Sequence, residues 1–188
     1  HNSYLSCSCA SLPAGSATAV FFCRAPTRLR MTVRVRYWLN HPAKHFLDDR
    51  AGRLLLSLRH QQRLTIEIQD PLPITRMHEA ERQRLRNTLN QLRAAGWKIW
   101  LDDLTRELTE EFKHLALALD GVKIDRSELN SPAPLAPYID TVKPGIADRI
   151  VIEGIENSQD LERARATGAR FGQGFLWPES RIDARVTR

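Results

Sequence analysis

Short hydrophobic runs recur along the chain from Met31 onward and are separated by longer polar or amphipathic stretches. Runs of this length, ending in polar or turn-forming residues, are typical of β-strands. The pattern predicts six strands, over residues 32–37, 64–68, 97–101, 122–125, 149–153 and 169–171.

Amphipathic stretches lie between most of these strands. The clearest covers residues 79–95, where Leu85, Leu89 and Leu92 fall on one helical face and Gly96 follows as a stop signal. Alternating strands and helices indicate βαβ units and a parallel sheet.

A second helix is predicted over residues 158–167, with Ser158 as its N-cap and Gly168 at its exit. The interval 127–148 is interrupted by prolines and is expected to hold only a short helix. Six strands are fewer than the eight of a closed β/α barrel, so the predicted barrel is incomplete or modified at its N-terminus.

Polar side chains follow the predicted strands at the point where each strand ends. Such residues, at the carboxyl ends of successive parallel strands, converge on the rim of a β/α barrel that carries its chemistry. Asp102 and Asp103 alone would indicate a solvated turn or a helix cap, but their position in this series predicts a site. Its members are Glu67, Asp102, Asp103, Lys123, Asp125, Glu153 and Gln173.

Composition narrows the class of protein. The chain has 188 residues, 42% hydrophobic and 27% charged, which is typical of one globular unit. The net charge of +6 comes mostly from dispersed arginines, as on a solvated surface, so a nucleic-acid partner is not expected. No apolar run is long enough to cross a bilayer, so no membrane partner is expected either.

The start of the chain differs from the rest. Residues 1–30 show little periodicity, and we interpret them as an atypical N-terminal segment; the sequence leaves open whether it folds. Residues 31–188 form the predicted barrel domain. The three cysteines, Cys7, Cys9 and Cys23, lack the paired spacing of a zinc site and indicate reduced thiols of a cytoplasmic protein.

Five short motifs occur in a fixed order along the chain. Together they resemble the EAL family of cyclic di-GMP phosphodiesterases, over about residues 31–180. The motifs are Ile66-Glu67-Ile68-Gln69-Asp70, Asp102-Asp103, Lys123-Ile124-Asp125-Arg126-Ser127, Ile152-Glu153-Gly154-Ile155-Glu156 and Gln173-Gly174-Phe175-Leu176.

The resemblance implies a TIM-like β/α barrel and a two-metal hydrolysis of cyclic di-GMP to linear pGpG. It implies that Glu67 and Asp102 bind Mg²⁺ or Mn²⁺, that Asp103 bridges to a second ion, and that such ions activate a water and clamp the phosphate. The implied catalytic residues are Lys123, which orients the water, and Glu153, as base or ligand holder. The implied ligand-binding or rim residues are Asp125, Glu156 and Gln173.

The chain also departs from the family. No acidic residue precedes Asp48, so the Glu-Ala-Leu glutamate is missing, and Val33-Arg34-Val35-Arg36 stands where the family has a Val-Asn-Leu-Ser strand with a ligating Asn. Leu104-Thr105-Arg106-Glu107 replaces the Phe-Gly-Thr-Gly loop, and the Lys123–Glu153 interval is shorter than in the family. An arginine cannot bind a cation and would oppose one.

These departures favour a degenerate EAL domain that regulates by binding cyclic di-GMP or a protein. The alternative is a weak metal-dependent cyclic di-GMP phosphodiesterase that produces pGpG. A third possibility is a gene remnant whose first thirty residues are unrelated to the original barrel. An unclosed barrel exposes a strand edge, which a protein partner or a second copy of the chain would cover.

Overall fold

Six parallel strands form one sheet in the computed structural model, which describes residues 6–7, 19–20, 37–58, 61 and 64–177. A short antiparallel pair, Ser6–Cys7 (β1) and Ala19–Val20 (β2), precedes the sheet in the chain. The strands of the sheet are adjacent in the order in which they occur in sequence. They are Tyr37–Pro42 (β3), Leu64–Gln69 (β4), Lys98–Leu104 (β5), Gly121–Ile124 (β6), Ile150–Ile152 (β7) and Phe171–Gly172 (β8).

Helical segments connect every pair of sheet strands, as the predicted βαβ units require. A 3₁₀ helix, Ala43–Leu47, follows β3. The α-helices are Asp49–Ser57 (α1), Pro71–Thr75 (α2), Glu79–Ala94 (α3), Arg106–Leu115 (α4), Arg126–Asn130 (α5), Leu135–Val142 (α6) and Ser158–Ala166 (α7).

The two faces of the sheet bury different side chains. On the outer face, residues such as Ile66, Leu101 and Ile124 are fully buried against the helices. On the inner face, Trp38 and Trp100 pack in a separate cluster whose other members are Val151 and Phe171. This two-faced burial is the arrangement of a β/α barrel, in which helices cover the outside and side chains fill the inside.

Gly121 makes room for the tryptophan pair. A methyl group at this position would lie 2.6 Å from ring carbons of Trp100, which packs edge-on against Trp38 at a centroid distance of 5.1 Å. We expect Gly121→Ala to lower the free energy of unfolding by about 1–3 kcal/mol in urea denaturation. Gly52→Ala is the control, because its methyl group would meet Thr88 at an ordinary 3.5 Å. Equal losses in both variants would contradict this packing argument.

The first strand corrects the sequence analysis. The structure has β3 at Tyr37–Pro42, which shares Tyr37 with the predicted strand over residues 32–37, and residues 32–36 lie outside the described residues. Residues 33–37 alternate more cleanly, whereas the real strand contains Asn40, His41 and Pro42, which are poor strand formers. The other five predicted strands overlap the observed ones.

The helix predictions hold with smaller corrections. Leu85, Leu89 and Leu92 of α3 are fully buried, as predicted. The N-cap of α7 is Asn157, whose side chain accepts a hydrogen bond from the backbone N–H of Asp160 at 3.0 Å, and not Ser158. The interval 127–148 holds most of α5 and the whole of α6 instead of one short helix.

Asp120 ties β5 to β6 at the end of the sheet where β6 begins. Its carboxylate accepts hydrogen bonds from the backbone N–H of Ile99 (3.1 Å), Lys98 Nζ (2.9 Å) and Arg93 Nε (3.1 Å). Partial burial by itself would raise the pKa of Asp120, but these donors lower it below the ordinary 3.8. Asp120 therefore stabilises the fold above its unfolded-state pKa, and this contribution is lost as the pH falls through the lowered value.

We expect Asp120→Asn to flatten the loss of stability on acidification below pH 3.8, measured from urea midpoints at successive pH values. Asp140→Asn is the control, because Asp140 is exposed and forms a surface ion pair with Lys143 Nζ at 3.6 Å. Such a pair contributes little to stability. A parent-like acid profile for Asp120→Asn would show that these hydrogen bonds do not set the profile.

Among the described residues, no helix combines the length and apolar character needed to span a membrane. Apart from β1 and β2, residues 1–30 lie outside the described residues, so the interpretation of this segment stays a prediction.

Candidate functional site

One buried lysine joins three carboxylates at the carboxyl ends of the strands. Lys123 Nζ pairs with Glu67 Oε1, with Asp102 Oδ1 at 3.0 Å and with Glu153 Oε1 at 2.6 Å. Glu67 is 1% exposed, Lys123 5% and Asp102 8%. Four of the side chains that the sequence analysis placed at one rim therefore meet on the inner face of the sheet.

Strand register explains this convergence. Paired residues of neighbouring parallel strands point to the same face, and Glu67 of β4 pairs with Trp100 of β5. Asp102 lies two residues after Trp100, and Lys123 pairs with Val151, two residues before Glu153. All these side chains share the inner face, because residues two apart on a strand point the same way.

Asp102 and Asp103 both reach the rim because the strand is irregular there. The register between β5 and β6 shifts between Leu101 and Leu104, and Asp103 has a φ of 51°. Aspartate tolerates this left-handed conformation better than most residues. One carboxylate oxygen from each of Asp102, Asp103 and Glu153 lies within 4.8 Å of the others. The adjacent aspartates are thus neighbours in a cluster and not a plain turn.

Asn40 is a member of this site that the sequence analysis missed. It pairs with Glu67 across β3 and β4, so the two side chains share the inner face. Its Oδ1 is buried and accepts no hydrogen bond within the part of the chain that the structure describes. Asn40 therefore offers an amide ligand that the sequence analysis did not identify, and Arg34 and Arg36 lie outside the described residues. The sequence signal that could have identified it is a polar residue, Asn40, directly after Leu39 at the end of a run that Pro42 terminates.

The pKa values of three carboxyl groups in the site are raised above the ordinary values for aspartate and glutamate. Burial raises the pKa of Glu67 to about 8, although Lys123 opposes the shift, and burial likewise raises the pKa of Glu153 to about 7. Burial and the neighbouring charge of Asp102 raise the pKa of Asp103 to about 6. Burial by itself would lower the pKa of Lys123, but the surrounding carboxylates, with Glu153 first, raise it.

The donor set fits a divalent metal ion. Three carboxylates pair with the ammonium group of Lys123, and Asp103 adds a fourth carboxyl group beside Asp102 and Glu153, so the site carries an excess of negative charge when they are ionised. Glu67 Oε2 is buried and, like Asn40 Oδ1, accepts no hydrogen bond within the described residues. Carboxylate and amide oxygens are the ligands that Mg²⁺ and Mn²⁺ prefer.

The other three predicted residues lie around this cluster. Asp125 caps α5 by accepting a hydrogen bond from Ser127 N at 2.7 Å, and Glu156 is exposed and pairs with Arg126 at 3.4 Å. The backbone of Gln173 bonds to Ile152 O and Ile155 N at 2.8 and 3.0 Å. The structure therefore separates a buried cluster from these more peripheral residues.

A long-range ion pair holds the turn after Asp103. Glu128 is buried and accepts hydrogen bonds from the backbone N–H of Arg106 at 2.9 Å and from its Nε at 2.7 Å. The guanidinium group also donates to Pro134 O at 2.7 Å and lies 4.8 Å from the ring centre of Tyr138. Because α4 begins at Arg106, this contact fixes the helix directly after the aspartates without a glycine-rich loop. Residues 22 positions apart carry no local signal for such a pair.

Comparison with known proteins shows the family of this chain. The EAL domain family model matches residues 24–180. The probable cyclic di-GMP phosphodiesterase PdeB of Escherichia coli (strain K12) is 27% identical over 154 residues, which are 76% of this chain and 30% of PdeB. The chain thus spans less than a third of this curated relative.

Two solved structures show the same fold. The PaMucR phosphodiesterase in its c-di-GMP complex is 26% identical, with a TM-score of 0.57 over 74% of this chain and 59% of that chain. The Bacillus subtilis YkuI protein, with an EAL domain and in complex with substrate c-di-GMP and calcium, is 22% identical. Its TM-score is also 0.57, over 74% of this chain and 35% of that chain.

These likenesses confirm the fold class predicted from the sequence, a TIM-like β/α barrel of EAL type. Because the family match covers residues 24–180 of a 188-residue chain, the protein belongs to the EAL domain family.

Proposed function

We propose that the rim site binds a divalent metal ion together with cyclic di-GMP, and that hydrolysis is absent or slow. The observation that carries this proposal is the donor set, with three carboxyl groups paired to Lys123, a fourth from Asp103 beside them, and two buried oxygens that accept no hydrogen bond in the described residues. Buried negative charge in excess is unfavourable unless a cation balances it. Cyclic di-GMP is the ligand in the structures of PaMucR and YkuI.

Two overlapping groups of residues would hold Mg²⁺ or Mn²⁺. Asn40, Glu67 and Asp102 form one group, and Asp102, Asp103 and Glu153 form the other. When bound, such ions polarise a phosphate and lower the pKa of a water. Lys123 would keep the carboxylates in place and donate a hydrogen bond to the ligand or water.

The residues around the cluster would contact the ligand. Asp125, Glu156 and Gln173 lie on the elements that follow β6, β7 and β8, where a dinucleotide larger than the buried cluster would extend. We assign them to ligand binding and not to metal binding, because Asp125 is engaged as a helix cap and Glu156 in an exposed ion pair.

Two features support slow chemistry and a regulatory role. Residues 1–36, which precede β3 in the sequence, contain no aspartate or glutamate and so offer no carboxylate ligand. Only Leu104 and Thr105 separate Asp103 from α4, which leaves no loop to close over a ligand. A domain that binds cyclic di-GMP without rapid turnover would act through a protein partner or a second copy of the chain. A cytoplasmic location stays a prediction.

The alternative is a weak phosphodiesterase, and Asn40 favours it. With Asn40 on the inner face, the site keeps a ligand that Arg34 would have removed. Glu153, whose pKa is raised to about 7, is suited to accept a proton from a water at neutral pH.

Incubation with cyclic di-GMP and Mn²⁺, followed by chromatography of pGpG, tests whether hydrolysis is absent or slow. We expect turnover below about 1 per second, the lower end of ordinary enzymatic rates. Faster turnover that is lost in Glu153→Gln would establish the enzyme instead. Glu110→Gln serves as the control, because this exposed carboxylate on α4 pairs only with the surface Lys113.

A further inference from the structure

We propose that His41 and His45 form a second metal site, for Zn²⁺ or a similar transition ion, on the outer side of the rim. His41 pairs with Ile68, a residue of the outer core, and so points away from the inner face that Asn40 and Glu67 share. This site is separate from the carboxylate cluster and does not rest on the function proposed above.

The distance between the two rings fits a shared ion. The Nδ1 atoms of His41 and His45 lie 3.5 Å apart. Two nitrogens bound at 2.0–2.1 Å to a tetrahedral zinc ion are about 3.3–3.4 Å apart, so the observed spacing needs almost no adjustment. When both rings are neutral, one Nδ1 carries a proton and donates a hydrogen bond to the other Nδ1. A metal ion would instead bind a lone pair from each of the two nitrogens.

The chain between the histidines is well anchored. His41 and Pro42 end β3, and the 3₁₀ helix Ala43–Leu47 carries His45. Ala43 and Phe46 are buried in the main core at 3% and 1% exposure, and the His41 ring lies 6.0 Å from the Phe46 ring, edge to face. Anchoring of this kind reduces the entropy that metal binding would otherwise cost.

The chemistry of the pair selects a different ion from that of the carboxylate cluster. Imidazole suits zinc, copper and nickel, whereas Mg²⁺ and Mn²⁺ prefer oxygen ligands. Because His45 is exposed, water or a further ligand can complete the coordination.

Zinc titration in excess Mg²⁺ tests the site, since Mg²⁺ occupies oxygen ligands but not imidazoles. We expect calorimetry of the full chain to show a Zn²⁺ site that is weakened at least about tenfold in His41→Ala and in His45→Ala. His114→Ala, which removes an exposed histidine at the end of α4, should bind like the parent. Zn²⁺ should also raise the melting temperature of the parent more than that of either variant.

Two results would overturn the proposal. One is parent-like zinc affinity in both His41→Ala and His45→Ala, which would place the ion elsewhere. The other is the absence of zinc binding by the parent in Mg²⁺. His45 is exposed, so loss of folding is not expected to obscure the result in His45→Ala.

Discussion

Lys123→Met should lower the free energy of unfolding by about 3–5 kcal/mol, because it leaves buried carboxylates without their shared cation. Lys123 is 5% exposed and contacts Glu67, Asp102 and Glu153. Urea denaturation measures the loss. Lys143→Met is the control, because Lys143 forms a surface ion pair with Asp140 at 3.6 Å. This variant should change the free energy of unfolding by less than about 1 kcal/mol.

The loss in Lys123→Met should also depend on pH and on metal. The pKa values of Glu67 and Glu153 are already raised, and removal of the lysine raises them further. The folded state therefore favours the protonated forms of both groups. Groups with raised acid pKa values destabilise the fold above their unfolded-state pKa, and a further rise adds to the parent's penalty only above the parent's folded-state values of about 7 and 8, so the loss relative to the parent should grow from about pH 7 upward. Mn²⁺ should recover part of it. A pH-independent loss of under 1 kcal/mol would contradict the buried ion cluster.

Asp102→Asn/Asp103→Asn should abolish Mn²⁺ binding while the protein stays folded. The double variant removes two adjacent carboxylates from the three that lie within 4.8 Å of one another. Stability should be unchanged or slightly increased, because burial and the neighbouring charge of Asp102 disfavour the charged form of Asp103 and raise its pKa to about 6. Mn²⁺ titration followed by electron paramagnetic resonance measures the binding.

The matched control for this variant is Glu110→Gln/Glu111→Gln. This pair is also adjacent and acidic, but it lies exposed on α4. It should leave Mn²⁺ affinity unchanged. If Asp102→Asn/Asp103→Asn bound Mn²⁺ as tightly as the parent, the aspartates would be part of a turn and not of a metal site.

The sequence predicted much of the rim because strand geometry repeats. A polar residue at the end of each parallel strand reaches the same rim, and this rule brought Glu67, Asp102, Lys123 and Glu153 together. The sequence analysis also placed Asp103 in this site, but it could not show how two adjacent residues both reach the cluster. That placement depends on the register shift after Leu101 and on a φ of 51°, which are properties of the folded backbone.

Asn40 was missed for a different physical reason. Its strand contains residues with low strand propensity and is held by pairing with β4, so tertiary contacts override the local pattern. The cleaner alternation of residues 33–37 therefore drew the prediction to residues 32–37, of which Tyr37 belongs to β3. The Arg106–Glu128 pair was also beyond local reasoning, since α4 and α5 meet only in the folded chain.

Calorimetric titration of the parent chain with cyclic di-GMP, with and without Mn²⁺, tests the central claim most directly. The donor set predicts binding that is tighter with Mn²⁺, is weakened in Asp102→Asn/Asp103→Asn, and is accompanied by less than about one turnover per second. The absence of cyclic di-GMP binding under both conditions, in a folded parent, would contradict the account.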